Sequence, residues 1–272
     1  MTVALPAADS YYLPLGDGRY QPTVHVQGAW QEHEQHMAPV SGLIVHAIDG
    51  HEPRGEGSAR HLGKIDFDIL GVIPAEPTTM QVTTLRPGRT IELIEATAIV
   101  GDRPVVRARA WRLAHHDSAS VAGGREALPR LPAPDGLPTW AGTRVWPGGY
   151  IASLQARAPR TNVPGRGQVW LRTDITLVDG EPVSPTAAFI GLVDTANGIV
   201  VREDPRVWMF PNVDLSVHLF REPTSPWVGL DTSVVFSDDG IGLTTSTLHD
   251  IDGPVGRSEQ LLTVRPLRHS PG

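Results

Sequence analysis

Pro211-Asn212-Val213-Asp214-Leu215-Ser216-Val217-His218, Trp227-Val228-Gly229-Leu230-Asp231-Thr232-Ser233 and Gly240-Ile241-Gly242-Leu243 follow one another in a single pattern. The turn Asp250-Ile251-Asp252-Gly253 and the stretch Gly256-Arg257-Ser258-Glu259-Gln260-Leu261-Leu262 complete it. Apolar and polar residues alternate within each piece, and Gly, Asp and Pro sit at the joints. Successive side chains of a strand point to opposite faces, so the alternation predicts a meander of antiparallel strands with one face buried. Asp214 and Gln260 fall where such a sheet is expected to bury aliphatic side chains. A buried carboxylate or amide is costly unless partnered. These two are the first candidates for chemistry.

Working outward, this meander is preceded by Pro185-Thr186-Ala187-Ala188-Phe189-Ile190-Gly191-Leu192-Val193, a helix with proline in its first turn. Asp194 and Asn197 follow, where helix capping or a turn accounts for Asn197. Gln168 to Asp174 reads as a strand before that helix, and Arg206 to Arg221 as one after it. The same order occurs earlier in the chain. Tyr11 to Leu15, the hairpin turn Gly16-Asp17-Gly18-Arg19 and a strand over Tyr20 to Trp30 precede a buried helix running from Pro39 through Ile48. Strands over Arg60 to Leu70, Thr79 to Arg86, Thr90 to Val100 and Pro104 to Leu113 follow it.

Placing Pro39 on Pro185 superposes the helices and brings Lys64-Ile65-Asp66-Phe67 near Asn212-Val213-Asp214-Leu215, allowing a two-residue slip. Pro104 to Ala110 then falls on Pro254 to Gln260. The chain therefore reads as an internal duplication. Asp66 matches Asp214, but Ala110 stands where the second copy has Gln260, so one site per chain is expected, in the second copy. Between the copies, His115 to roughly Gly142 is rich in Ser, Gly, Ala and Pro and lacks periodicity, as a surface linker would. The expected organisation is residues 1–115, a linker over 116–142, and residues 143–272. The pair His115-His116 at the linker's start is expected to be solvated rather than metal-bound.

Composition narrows the function classes. A length of 272 residues and 40% hydrophobic content suffice for a sizeable core. A formal charge of −7 with no Lys/Arg run argues against a nucleic-acid partner. With no cysteine, disulfides, thiolate metal sites and cysteine nucleophiles are excluded. No segment is long and apolar enough to span a bilayer. Met1 to Pro14 lacks the basic start and apolar run of a signal peptide, so a soluble cytoplasmic protein is expected. His33-Glu34-Gln35-His36 lacks the one-turn spacing of helical zinc ligands. Gly256-Arg257-Ser258-Glu259-Gln260 lacks the last glycine of a nucleophile elbow. No metal or cofactor is expected.

The ordered pieces together resemble a known family. Tyr20-Gln21-Pro22-Thr23, Trp30 with Gln35-His36, Asp66-Phe67-Asp68-Ile69-Leu70-Gly71 and Leu85-Arg86-Pro87-Gly88-Arg89 carry the likeness in the first copy. In the second it rests on Asp194-Thr195-Ala196-Asn197-Gly198, Asn212-Val213-Asp214-Leu215, Trp227, Gly240-Ile241-Gly242, Leu248-His249-Asp250 and Gly256 to Gln260. This sequence resembles the acyl-CoA thioesterase II-like family over nearly all its length outside the linker. The resemblance implies an α+β double hot-dog fold, in which two tandem halves each pack a long helix on an antiparallel sheet. It implies hydrolysis of an acyl-CoA to free acid and CoA by water, without a covalent intermediate, and leaves a homo-oligomer open.

In that family an Asp, a Thr or Ser, and a Gln hold the attacking water. A carboxylate takes its proton, an amide orients it, and helix-terminal N–H groups receive the charge that develops on the carbonyl oxygen. Carried onto this sequence, the Asp falls on Asp214 and the Gln on Gln260. The hydroxyl position falls on Val234 or Val235, with Thr232 and Ser233 just before it. Thr232 is preferred, and slow hydrolysis is the consequence. Met37-Ala38 replaces the glycine pair usual before the first helix. Gln35, His36 and His218 are candidates for substrate contact. Two rival readings are a non-catalytic acyl- or acyl-CoA-binding protein, and a hot-dog enoyl-CoA hydratase using Asp214 with His218.

Overall fold

The computed structural model describes residues 4–51, 60–141 and 145–267; the expected 142/143 boundary and residues 1–3 lie outside them. The first copy contains β1 (Ser10–Gly16), β2 (Arg19–Pro22), α1 (Met37–Asp49), β3 (Arg60–Ile69), β4 (Thr78–Arg86), β5 (Ile91–Val100) and β6 (Arg103–Ala114). The second contains α2 (Gly149–Ala152), β7 (Leu154–Arg157), β8 (Arg166–Thr173), β9 (Thr176–Val178), α3 (Pro185–Val193) and α4 (Ala196–Ile199). It continues through β10 (Trp208–Met209), β11 (Asp214–Leu219), β12 (Val228–Phe236), β13 (Ile241–Asp250), β14 (Gly253–Thr263) and β15 (Arg265–Pro266).

Two expected strands are cut short. The one read over Tyr20 to Trp30 stops at Pro22, which has no N–H to donate; Thr23 then caps a 3-10 turn over Val24–Val26. The one read over Arg206 to Arg221 breaks at Pro211 and Asn212 into β10 and β11.

Among the described residues, thirteen strands join one sheet in the order β7-β8-β12-β13-β14-β11-β3-β6-β5-β4-β2-β1-β9. The neighbours are antiparallel except β1 and β9, while β10 and β15 pair separately. Strand β5 alternates exposed or half-buried with buried positions along its whole length, as a sheet covered on one face requires. The buried face packs on α1 and α3, giving the double hot-dog arrangement. No helix among the described residues is long and apolar enough to cross a membrane.

The two helices pack closely because both carry glycine at the crossing. A Cβ on Gly42 would lie 2.9 Å from Gly191 Cα and 3.0 Å from the Ala187 carbonyl oxygen. Buried Ser41 donates to the Ile190 carbonyl oxygen at 3.0 Å, a polar bond across the same crossing. Gly42 faces Ala187 while Gly191 faces Ala38, so Gly42 is the counterpart of Gly191. Aligning Pro39 with Pro185, as the sequence suggested, is therefore displaced by almost one helical turn.

Strand register fixes the remaining equivalences. Ala110 lies opposite Ile65 and Ile94; Gln260 lies opposite Thr244, and the β11–β14 register places it across from Leu215. Ile65 thus corresponds to Leu215, and Asp66 to Ser216 rather than to Asp214. At the junction of the halves Asp66 and Ser216 are themselves partners, with Ser216 donating to Asp66 Oδ1 at 2.7 Å. The local twofold relation between the copies passes through this pair. The slip that brought Asp66 onto Asp214 is therefore not borne out: the two aspartates lie two residues out of register.

The segment after β6 forms 3-10 turns at Ala119–Val121, Arg125–Ala127 and Pro134–Gly136, and most of its side chains are exposed. It is tied to the second copy by backbone acceptors. Trp170 Nε1 donates to the Pro132 carbonyl oxygen at 2.7 Å, and His249 Nε2 lies 2.9 Å from that of Pro129.

Candidate active site

Helix α3 begins at Ser184, whose hydroxyl accepts from the Ala187 N–H, and ends at Asp194. The chain then turns at once into α4, so Asp194 stays inside the protein, where it is 4% exposed. A carboxylate at the negative end of a helix dipole is badly placed electrostatically, and this one is held by side-chain donors instead. Asp194 Oδ1 accepts from Asn212 Nδ2 at 2.8 Å and from Gln260 Nε2 at 2.9 Å. Burial raises its pKa from 3.8 to about 6, against the lowering effect of these two hydrogen bonds.

Gln260 lies behind Asp194, fully buried at the centre of β14, and also donates to the Asp194 main-chain oxygen at 3.2 Å. Asn212 sits in the break between β10 and β11, where its amide also bonds the Asp214 carbonyl oxygen. Gln260 Oε1 and the Oδ1 of Asn197 are buried without a partner among the described residues. Unmatched buried acceptors cost about 1–3 kcal/mol each, and both suit a donor from outside the chain, such as water.

The first copy supplies the opposite wall. His36 precedes α1, and its Nδ1 accepts from the Ala38 N–H at 3.1 Å, capping the helix. Its ring lies against that of Tyr150, with centroids 4.2 Å apart. Burial lowers the pKa of His36 to about 3, so the ring is neutral with its proton on Nε2. Asp194 Oδ2 is 3.6 Å from His36 Nδ1. That separation is no ion pair, because the ring is uncharged and Nδ1 is already accepting.

Asp194, Asn197, Asn212 and His36 open onto a cleft of about 450 Å³ walled by Trp30, Trp146, Ile73, Ile151 and Met209. Trp30 meets Trp146 edge-on at 4.9 Å and Phe210 at 5.5 Å, and Trp146 Nε1 is anchored on the Gly198 carbonyl oxygen. Arg265 lies at the cleft and is exposed. Two carboxylates of raised pKa line the cleft, Glu34 and the more deeply buried Asp194, and it is Asp194 that faces the positive end of α1.

The residues expected from sequence are dispersed. Gln260 and His36 belong to this cluster. Asp214 does not line the cleft: its Oδ1 accepts from the Leu261 N–H at 2.6 Å, tying β11 to β14. Leu215 and Gln260 share the inner face, so Asp214, one residue away, points to the other. Thr232 is on the inner face but spends its hydroxyl on Ser246 at 2.7 Å, while Ser233 pairs with Thr245 on the outer face at 2.8 Å. Gln35 also lines the cleft, with its amide held by Tyr12, Pro74 and Thr78. His218 is exposed on β11, opposite Lys64 and Arg257.

Asp194 and Asn212 are what reading for buried positions on strands missed, since both sit at element ends. Their signal was an aspartate directly after an apolar helix, where the dipole disfavours it, and a Pro-Asn break ahead of a strand.

Similarity to known proteins agrees with this architecture. Residues 26–113 match the acyl-CoA thioesterase N-terminal domain, and residues 125–264 match the acyl-CoA thioesterase C-terminal domain. No curated protein matches the chain. Among solved structures, a hot-dog-fold protein of Alicyclobacillus acidocaldarius is 15% identical, with 94% of this chain and 97% of that one covered at a TM-score of 0.73. The acyl-CoA thioesterase II TesB2 of Mycobacterium marinum is 18% identical, with 94% and 96% covered and a TM-score of 0.63. The tesB protein of Mycobacterium avium subs paratuberculosis is 18% identical over 94% and 96%, with a TM-score of 0.66. With one domain model on each copy, and the second alone covering half its length, this chain belongs to the acyl-CoA thioesterase family.

Proposed function

We propose that this family's reaction, hydrolysis of an acyl-CoA thioester, runs here at Asp194 rather than at Asp214. The observation that carries the reading is the buried Asp194 carboxylate. It shares Oδ1 between the amides of Gln260 and Asn212, keeps Oδ2 free of hydrogen bonds from the described residues, and has a pKa of about 6. At neutral pH it is ionised yet basic enough to accept a proton, as a general base must be. Asn212, rather than a threonine or serine, is the second side chain that donates to Asp194, so neither Thr232 nor Ser233 is needed there.

The steps follow from these groups. The thioester carbonyl lies at the N-terminus of α1, where the Met37 N–H and the helix dipole face the oxygen as it gains charge. A water held by Asp194 Oδ2 attacks the carbonyl carbon and gives its proton to the carboxylate. The tetrahedral intermediate expels the thiolate as the C–S bond breaks, leaving the free acid. A thiol pKa of about 8.5 makes that leaving group good enough to depart with little acid assistance. Gln260 does not touch substrate; it positions Asp194. The tryptophan-lined part of the cleft receives the acyl group, and Arg265 at the rim receives a phosphate of the nucleotide.

Release of free thiol from a panel of acyl-CoAs tests this directly, with loss of enoyl absorbance followed in parallel. Thiol release that disappears in Asp194→Asn but persists in Asp214→Asn supports the assignment. Binding without thiol release would instead make the protein a carrier, and thiol release equally lost in Asp214→Asn would move the base there.

A further inference from the structure

A second cluster of ligating side chains lies at the far end of the strands that reach the cleft. His61 is near the start of β3, whereas Ile69 at its other end lines the cleft. Eight residues of strand separate the two, or about 26 Å. Beside His61 stand His115, just past β6, and Glu222, just past β11. One ligating atom from each of the three lies within 4.8 Å of the others.

We propose that His61, His115 and Glu222 form a zinc site that ties the first copy to the second. The spacing of the donors is the argument. His61 Nδ1 and His115 Nε2 are 3.4 Å apart, with the rings nearly perpendicular. A tetrahedral zinc ion with Zn–N bonds of about 2.0–2.1 Å places two neighbouring nitrogens about 3.3–3.4 Å apart. The same separation is long for a hydrogen bond between imidazoles, whose ordinary value is about 3.0 Å. Two nitrogens and a carboxylate oxygen are a normal ligand set for zinc, with water completing the tetrahedron. Two ligands come from the first copy and one from the second, so an ion here staples the copies together, away from the chemistry. This reverses the expectation that the His115-His116 pair is merely solvated, and His116 is no part of the site.

Titration calorimetry of the untagged, chelator-treated full chain with Zn2+ tests the proposal, using His115→Ala and Glu222→Gln because both residues are exposed and neither change should disturb folding. One equivalent of zinc should bind, with affinity at least about tenfold weaker in either variant and unchanged in His116→Ala. The melting temperature should rise with zinc in the parent chain and much less in the two variants, since a ligand confined to the folded state stabilises it. Replacing zinc with Co2+ should give the intense visible bands of a tetrahedral site. Absence of saturable binding, or binding that survives in both variants, would overturn the assignment.

Discussion

The two copies bury polar groups at different places and do opposite things with them. Across the second copy runs the row Leu215, Gln260, Thr244, Val234; across the first runs Ile65, Ala110, Ile94, Thr84. Counting from Gly42 and Gly191, the place of Asp194 is taken in α1 by buried Val45, and α1 continues to Asp49. Its end is closed by Arg112, which donates from Nη1 to the Ile48 carbonyl oxygen and from Nη2 to Glu92 at 2.7 Å. By the same register, Arg112 and Glu92 correspond to Leu262 and Gly242 in the second copy. One copy thus closes its buried Glu92 carboxylate between Arg112 and Arg60, while the other leaves a carboxylate oxygen and two amide oxygens without donors among the described residues. The difference teaches that burial of polar groups alone does not mark a site. What marks it is leftover hydrogen-bonding capacity beside a cleft.

The largest effect that would break this comparison is at Asp194. Asp194→Asn should lower kcat roughly 10²–10⁴-fold, the range for loss of a general base, while Asp214→Asn stays within a few-fold. In the parent chain the rate should rise with pH through about 6, as Asp194 loses its proton. The same substitution should stabilise the fold. The folded state keeps the Asp194 proton up to about pH 6, whereas the unfolded chain loses it near 3.8, so stability falls as pH rises across that window. Asparagine escapes this penalty, so the variant should gain roughly 1–3 kcal/mol above pH 6 and nothing below pH 4. Denaturant melts at the two pH values measure it; a variant destabilised at pH 8 would mean that the charge is fully compensated.

At the closed charge cluster of the first copy the expectation reverses. Arg112→Met leaves Glu92, which is 1% exposed, with Arg60 at 3.6 Å as its remaining cation, and should cost about 3 kcal/mol, the low end for a broken buried pair. The double change Arg112→Leu with Glu92→Leu leaves Arg60 without its carboxylate and should recover only part of that loss. Hydrolysis per folded molecule should be unaffected in both. A fall in kcat that tracks the stability loss in correctly folded protein would show that the closed pair also serves the site.

How far this was legible in the sequence depends on what each residue's neighbours are. Alternation and turn residues located α1, α3 and the long strands within a few residues, because burial on one face leaves a periodic trace. The duplication was visible for the same reason. Residue-by-residue equivalence was visible between β6 and β14 but not at Asp66 and Asp214, which lie two positions out of register as only strand pairing reveals. Gln260 stood out as an amide in an apolar row. Asp194 did not, because it ends an element and an aspartate there has an ordinary explanation as a turn residue. Its partners come from 18 and 66 residues away in sequence, which no local pattern encodes.

A smaller effect sharpens the role of Gln260. It is fully buried and touches Asp194 but does not line the cleft, so it acts by position. Gln260→Leu should lower kcat roughly tenfold, by about 1.4 kcal/mol, while leaving KM nearly unchanged. Losing one of the two amides that favour the Asp194 carboxylate should also move the rising limb of the pH profile to higher pH. A merely structural glutamine would lower stability without moving that limb.

The smallest effects are expected at Thr232 and Ser233, and they separate the inner face of the second copy from its outer face. Thr232 Oγ1 is fully buried and bonded to Ser246, so Thr232→Val leaves a buried hydroxyl without its partner. That should cost about 1 kcal/mol. Ser233 bonds to Thr245 on the outer, half-buried face, where water replaces the lost hydroxyl. Ser233→Ala should therefore change stability by no more than about 0.5 kcal/mol. Neither hydroxyl contacts Asp194, so both variants should hydrolyse acyl-CoA within about twofold of the parent; on that scale twofold is about 0.4 kcal/mol. A tenfold loss in Thr232→Val with the fold intact would return the hydroxyl to the reaction. The water would then have to lie over β13, between Thr232 and Gln260, and the assignment to Asn212 would fail.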